Sequence, residues 1–360
     1  MHLNFAANAA LRYLVLVRMS FDEAGARRTA HLARHLSAAV EPGSEFCFTT
    51  AQAEGVLSAQ QRQQYERDGF LVVKGLVPSD RIRRWIDHFL DISRSASQKD
   101  GKLRGNMTVM KDVAIAKSEA IEGEAAITKL QDWQRDDQLF SYCTQPEVLK
   151  YVHCFTGPNV RSIHTMLINK PPDPGTQTSR HPLHQDLNYF PFRPANRIVC
   201  AWTAMERVHR GNGCLTVVPG THKGPLLQHE YPAWEGGVNK MYHGVQLDRA
   251  RVEDRIFVEM EPGDTVFFHP LLIHGSGTNR TQGFRKAISC HYAACECDFV
   301  DVRGTVQQFL LDEVTDLAVQ KFDIDPADLP SDVIMNLYHN HWRGKSRHVS
   351  GNNPRHWQQH

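Results

Sequence analysis

The stretch Arg180-His181-Pro182-Leu183-His184-Gln185-Asp186-Leu187-Asn188-Tyr189-Phe190 decides how this chain is read. Taken as a β-strand, it alternates its side chains, so His184, Asp186 and Asn188 share one face and Leu183, Leu187 and Tyr189 the other. An imidazole and a carboxylate two residues apart on one face can chelate a single metal ion. With a distant histidine they make a two-histidine, one-carboxylate facial triad, whose open positions suit non-haem iron(II). The tripeptide alone has little weight: with 20 histidines in 360 residues, a His-X-Asp is expected about once by chance. Its setting adds weight, because a carboxylate turned inward among apolar neighbours needs a cation or hydrogen-bond donors.

A third ligand is sought in the β-rich segment from Gly263 to Gly277, where His269 and His274 both qualify. His274 ends an apolar run just before Gly275-Ser276-Gly277, where a strand-end ligand faces an open site. His269 precedes Pro270 and reads as a packing residue. After a turn-rich stretch, Phe284-Arg285-Lys286-Ala287-Ile288-Ser289 reads as a returning antiparallel strand with Arg285, Ala287 and Ser289 on one face. Alone, Arg285 reads equally well as half of a surface ion pair. Facing into a barrel beside a metal, it needs an anion, and a dicarboxylate held by its guanidinium fork at one end and chelating the metal at the other satisfies that need.

The surrounding chain supports a β-rich core. Short apolar runs between turn residues (165–169, 183–190, 198–205, 214–218, 265–268 and 285–291) suggest an all-β barrel or sandwich over about 160–300. Upstream, Ser58 is placed to cap a helix that Gly69 ends, Phe70–Val73 reads as a strand, and Pro78-Ser79-Asp80 opens an amphipathic helix carrying Ile82, Trp85, Ile86, Phe89 and Leu90 on one face. Residues 1–50 read as a leader or targeting arm, and residues 306–360 as a helical extension ending in a polar tail.

Composition excludes several classes. With 41 Lys+Arg against 40 Asp+Glu, the charge is balanced and gives no sign of bulk nucleic-acid or membrane-surface binding. There is no run of 18 apolar residues and hence no spanning helix. Eight cysteines are too sparse for a disulfide scaffold, and Cys295-Glu296-Cys297 lacks the partner pair of a zinc site. The sequons at Asn106 and Asn279 read as chance matches.

At these residues the chain resembles the phytanoyl-CoA dioxygenase family of iron(II)/2-oxoglutarate oxygenases. The likeness covers about residues 55–305. It is carried by His-Thr-Met-Leu-Ile-Asn-Lys-Pro-Pro at 164–172, Ser-Arg-His-Pro-Leu-His-Gln-Asp-Leu at 179–187, Ala-Trp-Thr-Ala-Met-Glu at 201–206, Trp-Glu-Gly-Gly-Val-Asn-Lys-Met at 234–241, and the block 263–277. The resemblance implies a double-stranded β-helix (jelly-roll, cupin-like) core flanked by helices. It implies that His184, Asp186 and His274 ligate iron(II), and that Arg285 and Ser276 hold the far carboxylate of 2-oxoglutarate in a pocket lined by Lys129, Met166 and Trp202. The implied reaction is 2-hydroxylation of phytanoyl-CoA and related 3-methyl-branched acyl-CoAs with O2, coupled to oxidative decarboxylation of 2-oxoglutarate to succinate and CO2, with ascorbate as reductant. A 3-methyl branch blocks ordinary β-oxidation, so this step opens α-oxidation.

Two alternatives remain at this point: an oxygenase of the same fold acting on another small molecule, and a non-catalytic β-barrel binding module. The four residues His184, Asp186, His274 and Arg285 disfavour the latter, since binding alone needs none of them. Two histidines and a carboxylate also serve zinc, but an arginine placed for 2-oxoglutarate tilts the choice to iron. The leader resembles a type-2 peroxisomal signal at Arg28-Thr29-Ala30-His31-Leu32-Ala33-Arg34-His35-Leu36, departing from it at Thr29. This implies a peroxisomal import receptor as partner, with the mitochondrion as the alternative destination. Met19 is a candidate native start, because it brings the nonapeptide near the terminus.

Overall fold

The computed structural model describes residues 46–96, 107–111, 123–234, 238–239, 242–248, 252–322 and 331–357. The targeting nonapeptide and Met19 lie outside them, as does Asn106. The strands are β1 (Phe70–Val73), β2 (Thr108–Met110), β3 (Lys129–Gln131), β4 (Val160–Lys170), β5 (His181–His184), β6 (Phe192–Arg193), β7 (Ile198–Ala204), β8 (Leu215–Val217), β9 (Ile256–Val258), β10 (Thr265–Phe268), β11 (His274–Ser276), β12 (Arg285–Ala294), β13 (Asp298–Phe299) and β14 (Arg347–Ser350). The helices are α1 (Ala59–Asp68), α2 (Ser79–Ala96), α3 (Asp137–Phe140), α4 (Pro146–Thr156), α5 (Gln308–Phe322) and α6 (Ser331–Lys345).

Ser58 and Gln61 cap α1 reciprocally, and Gly69 ends it at φ +82°, a left-handed conformation that costs glycine little. That turn delivers the chain into β1. A large antiparallel sheet then runs β1-β10-β7-β12-β4-β3-β2, with β14 also paired to β4; a smaller one runs β5-β11-β8-β9. Alternation along the large sheet separates two cores. Val199, Ala201, Phe267, Ile288 and Tyr292 turn outward against Trp85, Phe89, Val152 and Phe155 of α2 and α4. Cys200, Trp202, Val266, Phe268 and Ala287 turn inward and meet Leu215, Val217 and Val258 of the small sheet. Both faces of the large sheet are covered, which is why its strands read as unbroken apolar runs. The result is a double-stranded β-helix closed at one end by α5, α6, Phe190, Phe192 and Trp342.

Three expectations are corrected. The strand read across 183–190 stops at His184, and Asp186–Tyr189 is a 3-10 turn. Within it Asn188 and Phe190 donate to the Gln185 and Leu187 carbonyls, while Gln307 Nε2 donates to the carbonyls of Leu187, Asn188 and Phe190, so these backbone groups need no strand partner. The β-core also exceeds 160–300, since β1, β2, β3 and β14 join the large sheet. Residues 347–357, read as a polar tail, supply β14 and bury Trp357, whose Nε1 donates to the Cys295 carbonyl at 2.9 Å.

Candidate metal centre and cosubstrate pocket

His184 is the last residue of β5 and His274 the first of β11, and the two strands pair with these residues directly opposite. Gly275 makes that approach possible: a Cβ there would lie 2.8 Å from the carbonyl oxygens of His181 and Pro182. Each imidazole is oriented through Nδ1, which lies 2.9 Å from a backbone carbonyl two residues earlier, Pro182 for His184 and Leu272 for His274. Donation there places the lone pair on Nε2, the atom facing inward.

Asp186 reaches the same point from the first position of the 3-10 turn. Its Oδ1 lies 3.2 Å from His184 Nε2 and its Oδ2 3.6 Å from His274 Nε2. Ligand atoms of His184, Asp186 and His274 all fall within 4.8 Å of one another, and all three residues are buried. Burial by itself would raise the Asp186 carboxyl. The surrounding imidazoles of His274 and His291, with the contacts of its oxygens to His184 and His291, outweigh it and hold the group well below the usual carboxylate range. Burial pushes His274 down to about 4, keeping the imidazole neutral at physiological pH. Two imidazole nitrogens and one carboxylate oxygen are the donor set that suits iron(II).

Gln185, between the two candidate ligands, points the other way and anchors them. Its Nε2 donates to Pro225 and Leu271 carbonyls, its Oε1 accepts from Leu227 N–H, and its own N–H donates to His229 Nε2 at 2.9 Å. His269, the other candidate, lies elsewhere: it is buried against Phe48 and His222 and accepts from Leu271 N–H. Asn279 donates to the carbonyls of Lys170 and Gly283 from a fully buried position, so its sequon builds the β11–β12 turn and offers no glycosylation site in the fold.

Arg285 opens β12 opposite Lys170 of β4, and its side chain is 2% exposed. Nη2 donates to the Gly213 carbonyl at 2.8 Å, and the guanidinium stands 5.3 Å from the Trp202 ring centre. Nε and Nη1 have no hydrogen-bond partner. Burial lowers the group to about 10, which still leaves it charged at neutral pH. A buried fork with two open N–H directions is matched to a carboxylate. The cavity it faces is lined by Lys129, Trp202 and Ser276, and also by Lys170, His181 and Tyr242. Met166 is absent from that lining; it lies two residues from Ile168 on β4, in register with Ser289.

His291 escaped the reading of the sequence although its signal was present, since one more step of the Arg285, Ala287, Ser289 alternation reaches it. Its Nε2 lies 2.7 Å from Asp186 Oδ2. With Asp186 and Cys200 it forms a second cluster of potential ligand atoms, but burial pushes the Cys200 thiol well up, which makes it a poor ligand. Cys295 and Cys297 join no such cluster among the described residues, and both thiols are raised by burial.

Comparison with known proteins agrees with this geometry. Over most of its length the chain is similar to the protein named "Phytanoyl-CoA dioxygenase, peroxisomal" in two mammals. The rat protein is 53% identical over 323 residues, covering 86% of this chain and 94% of the relative. The human protein is 52% identical over 343 residues, covering 95% and 97%. "Probable phytanoyl-CoA dioxygenase" of Caenorhabditis elegans is 54% identical over 303 residues, covering 82% and 94%. Solved structures share the fold at low identity. The "non-heme alpha ketoglutarate dependent epimerase SnoN" matches with a TM-score of 0.52 and 19% identity over 69% of this chain and 87% of its own. EctD from S. alaskensis matches with a TM-score of 0.51 and 16% identity over 68% and 79%. The family model described as "Phytanoyl-CoA dioxygenase (PhyH)" matches residues 65–287, and with relatives above 50% identity across nearly their full length the chain belongs to that family.

Proposed function

We propose that the protein hydroxylates C2 of phytanoyl-CoA and related 3-methyl-branched acyl-CoAs with O2, while 2-oxoglutarate is converted to succinate and CO2. His184, Asp186 and His274 would hold the iron, and Arg285 the cosubstrate. The observation that carries this reading is the pairing of a buried His–Asp–His cluster with a buried arginine whose Nε and Nη1 have no partner. The relatives' names supply the substrate class, and SnoN has been solved with Fe3+ and alpha ketoglutarate.

Bound at this centre, iron(II) with 2-oxoglutarate supplies the oxidising chemistry, with ascorbate keeping it reduced. The protein's part is positional. Arg285 would take the far carboxylate of 2-oxoglutarate through Nε and Nη1, with Gly213 holding Nη2 and Trp202 bounding the ring side. Ser276 and Lys129 add donors at the same pocket. The Nδ1 contacts to Pro182 and Leu272 present both imidazoles Nε2-first, and the Asp186 carboxylate offsets part of the metal's charge. The apolar interior around Phe268 and Trp202 would help keep water from the reacting centre.

The test is to incubate the purified protein with Fe(II), ascorbate, 2-oxoglutarate and phytanoyl-CoA and to measure succinate and 2-hydroxyphytanoyl-CoA together. Equal amounts of both support the reading; succinate alone would assign another substrate, and neither product would sink it. The mammalian relatives are named peroxisomal, and we place this protein in peroxisomes as well, delivered by an import receptor reading Arg28–Leu36. A fluorescent fusion that reaches peroxisomes and loses them on His35→Ala substitution supports that placement.

A further inference from the structure

We propose that His164 binds the thioester carbonyl of the acyl-CoA and so fixes C2 beside the metal centre; this rests on the hydroxylase reading above. Strand β4 shows where the barrel is open. Its outward residues Thr165, Leu167 and Asn169 are each at most 1% exposed, whereas the inward residues His164, Met166 and Ile168 are half-buried. A strand more open on its inner side than on its outer side borders unfilled space inside the barrel. Ile168 and Lys170 belong to the Arg285 pocket. His164 and Met166 lie outside that pocket, further along the strand, with Gln131 of β3 paired to Met166 and likewise half-buried.

His164 pairs across the sheet with His291, and the two rings stack with centres 5.6 Å apart and planes 24° from parallel. His291 Nε2 in turn bonds Asp186, so His164 stands one ring away from the candidate iron ligands. Phe190 and Trp342 meet it edge-on and close the barrel behind it. Neither ring nitrogen of His164 has a hydrogen-bond partner among the described residues. The other polar side chains near the centre are committed or closed off. Nδ1 of His184 and of His274 faces a backbone carbonyl, and Asn188 and Ser289 are completely buried. Gln131 is open as well, but it sits opposite Met166, two residues along β4 from the ring that stacks on His291. Hydroxylation at C2 brings the thioester oxygen, two bonds away, beside the metal too, so its partner must come from this wall. Burial keeps the His164 imidazole unprotonated, and one of its nitrogens then carries an N–H for that oxygen. The branched chain lies along Met166, whose unbranched thioether moulds to irregular apolar shapes.

The experiment uses the full-length protein loaded with Fe(II) and 2-oxoglutarate under argon. Phytanoyl-CoA carrying carbon-13 at C1 should show, when bound, a carbonyl stretch at lower frequency than in an apolar solvent. His164→Phe keeps a ring against His291 and removes the donor, and there the stretch should return to the apolar value. By calorimetry the wild type should bind phytanoyl-CoA about tenfold tighter than S-phytanyl-CoA, the thioether with CH2 in place of the carbonyl, the usual worth of one hydrogen bond. That ratio should fall toward one in His164→Phe and be largely kept in His164→Gln, which still donates. A ring that only supports His291 would weaken both ligands alike and leave the ratio unchanged, and that result overturns the proposal. So does an unshifted stretch in the wild type, which needs no variant. His164→Met carries the same expectation should the Phe variant fail to take up iron. If the loaded wild type binds no phytanoyl-CoA, or makes no 2-hydroxy product from it when O2 is admitted, the hydroxylase reading fails and takes this inference with it.

Discussion

His291 and Asp186, 105 residues apart in the chain, lie side by side in the barrel, with His291 Nε2 2.7 Å from Asp186 Oδ2. His164 stacks on the imidazole and Phe190 meets its edge, so the ring has little freedom to turn. His291 thereby holds one carboxylate oxygen and directs the other toward His184. His291→Ala should lower iron affinity about 10- to 100-fold, the usual effect of losing a partner that orients a ligand. Titration of the metal-free protein with Fe(II) under argon measures this, and an unaltered circular dichroism spectrum separates it from misfolding.

Arg285 carries a buried charge whose Nε and Nη1 await a partner. Adding 2-oxoglutarate should therefore raise the thermal midpoint of wild-type protein. Arg285→Ala should lose that response and raise the KM for 2-oxoglutarate on the order of 100-fold. Its own stability without ligand should equal or exceed that of wild type, since an uncompensated buried charge has been removed. Arg285→Lys restores charge without the fork and should rescue only part of the affinity.

Gln185→Ala should cost about 2–4 kcal/mol of stability, because it leaves the Leu227 N–H and two carbonyl oxygens without their side-chain partner. The same loss frees the two residues on either side, so iron affinity should fall with stability. Urea unfolding of the metal-free protein reads the first effect and Fe(II) titration the second.

Stability should fall on acidification between about pH 6.5 and pH 4. Burial lowers His222 and His229 to about 4 in the fold, against an ordinary value of 6.5. The unfolded chain then binds protons that the folded one refuses, so stability is full above 6.5 and drains away as pH drops toward 4. Urea midpoints of metal-free protein at pH 7.5, 6 and 5 should decline in that order. His222→Gln, which removes one of these groups, should show a shallower decline.

Local pattern was enough for much of this protein. The Ser58 cap, the Gly69 stop and the 82-85-86-89-90 stripe are readable because helices are stabilised within a few residues of sequence. The Arg285-Ala287-Ser289 alternation placed an arginine inside the barrel, where the structure has it, because side-chain direction in a strand is set by the pleat alone. The His184–Asp186 pair was legible from spacing, although the chain between them leaves the strand and turns.

The Gly275-Ser276-Gly277 turn and Pro270 already favoured His274 over His269; what fixes it is β11 pairing with β5 so that His274 faces His184, a contact across 90 residues. The partnership of His291 with Asp186, the Gln307 bonds that turn 186–189 away from strand geometry, and the stacking of His164 on His291 have the same origin. Sequence by itself determined which residue types could form the site and which way most of them point. Tertiary structure decided which of them meet, because sheet register and long-range packing bring together groups whose separation along the chain carries no local energetic signal.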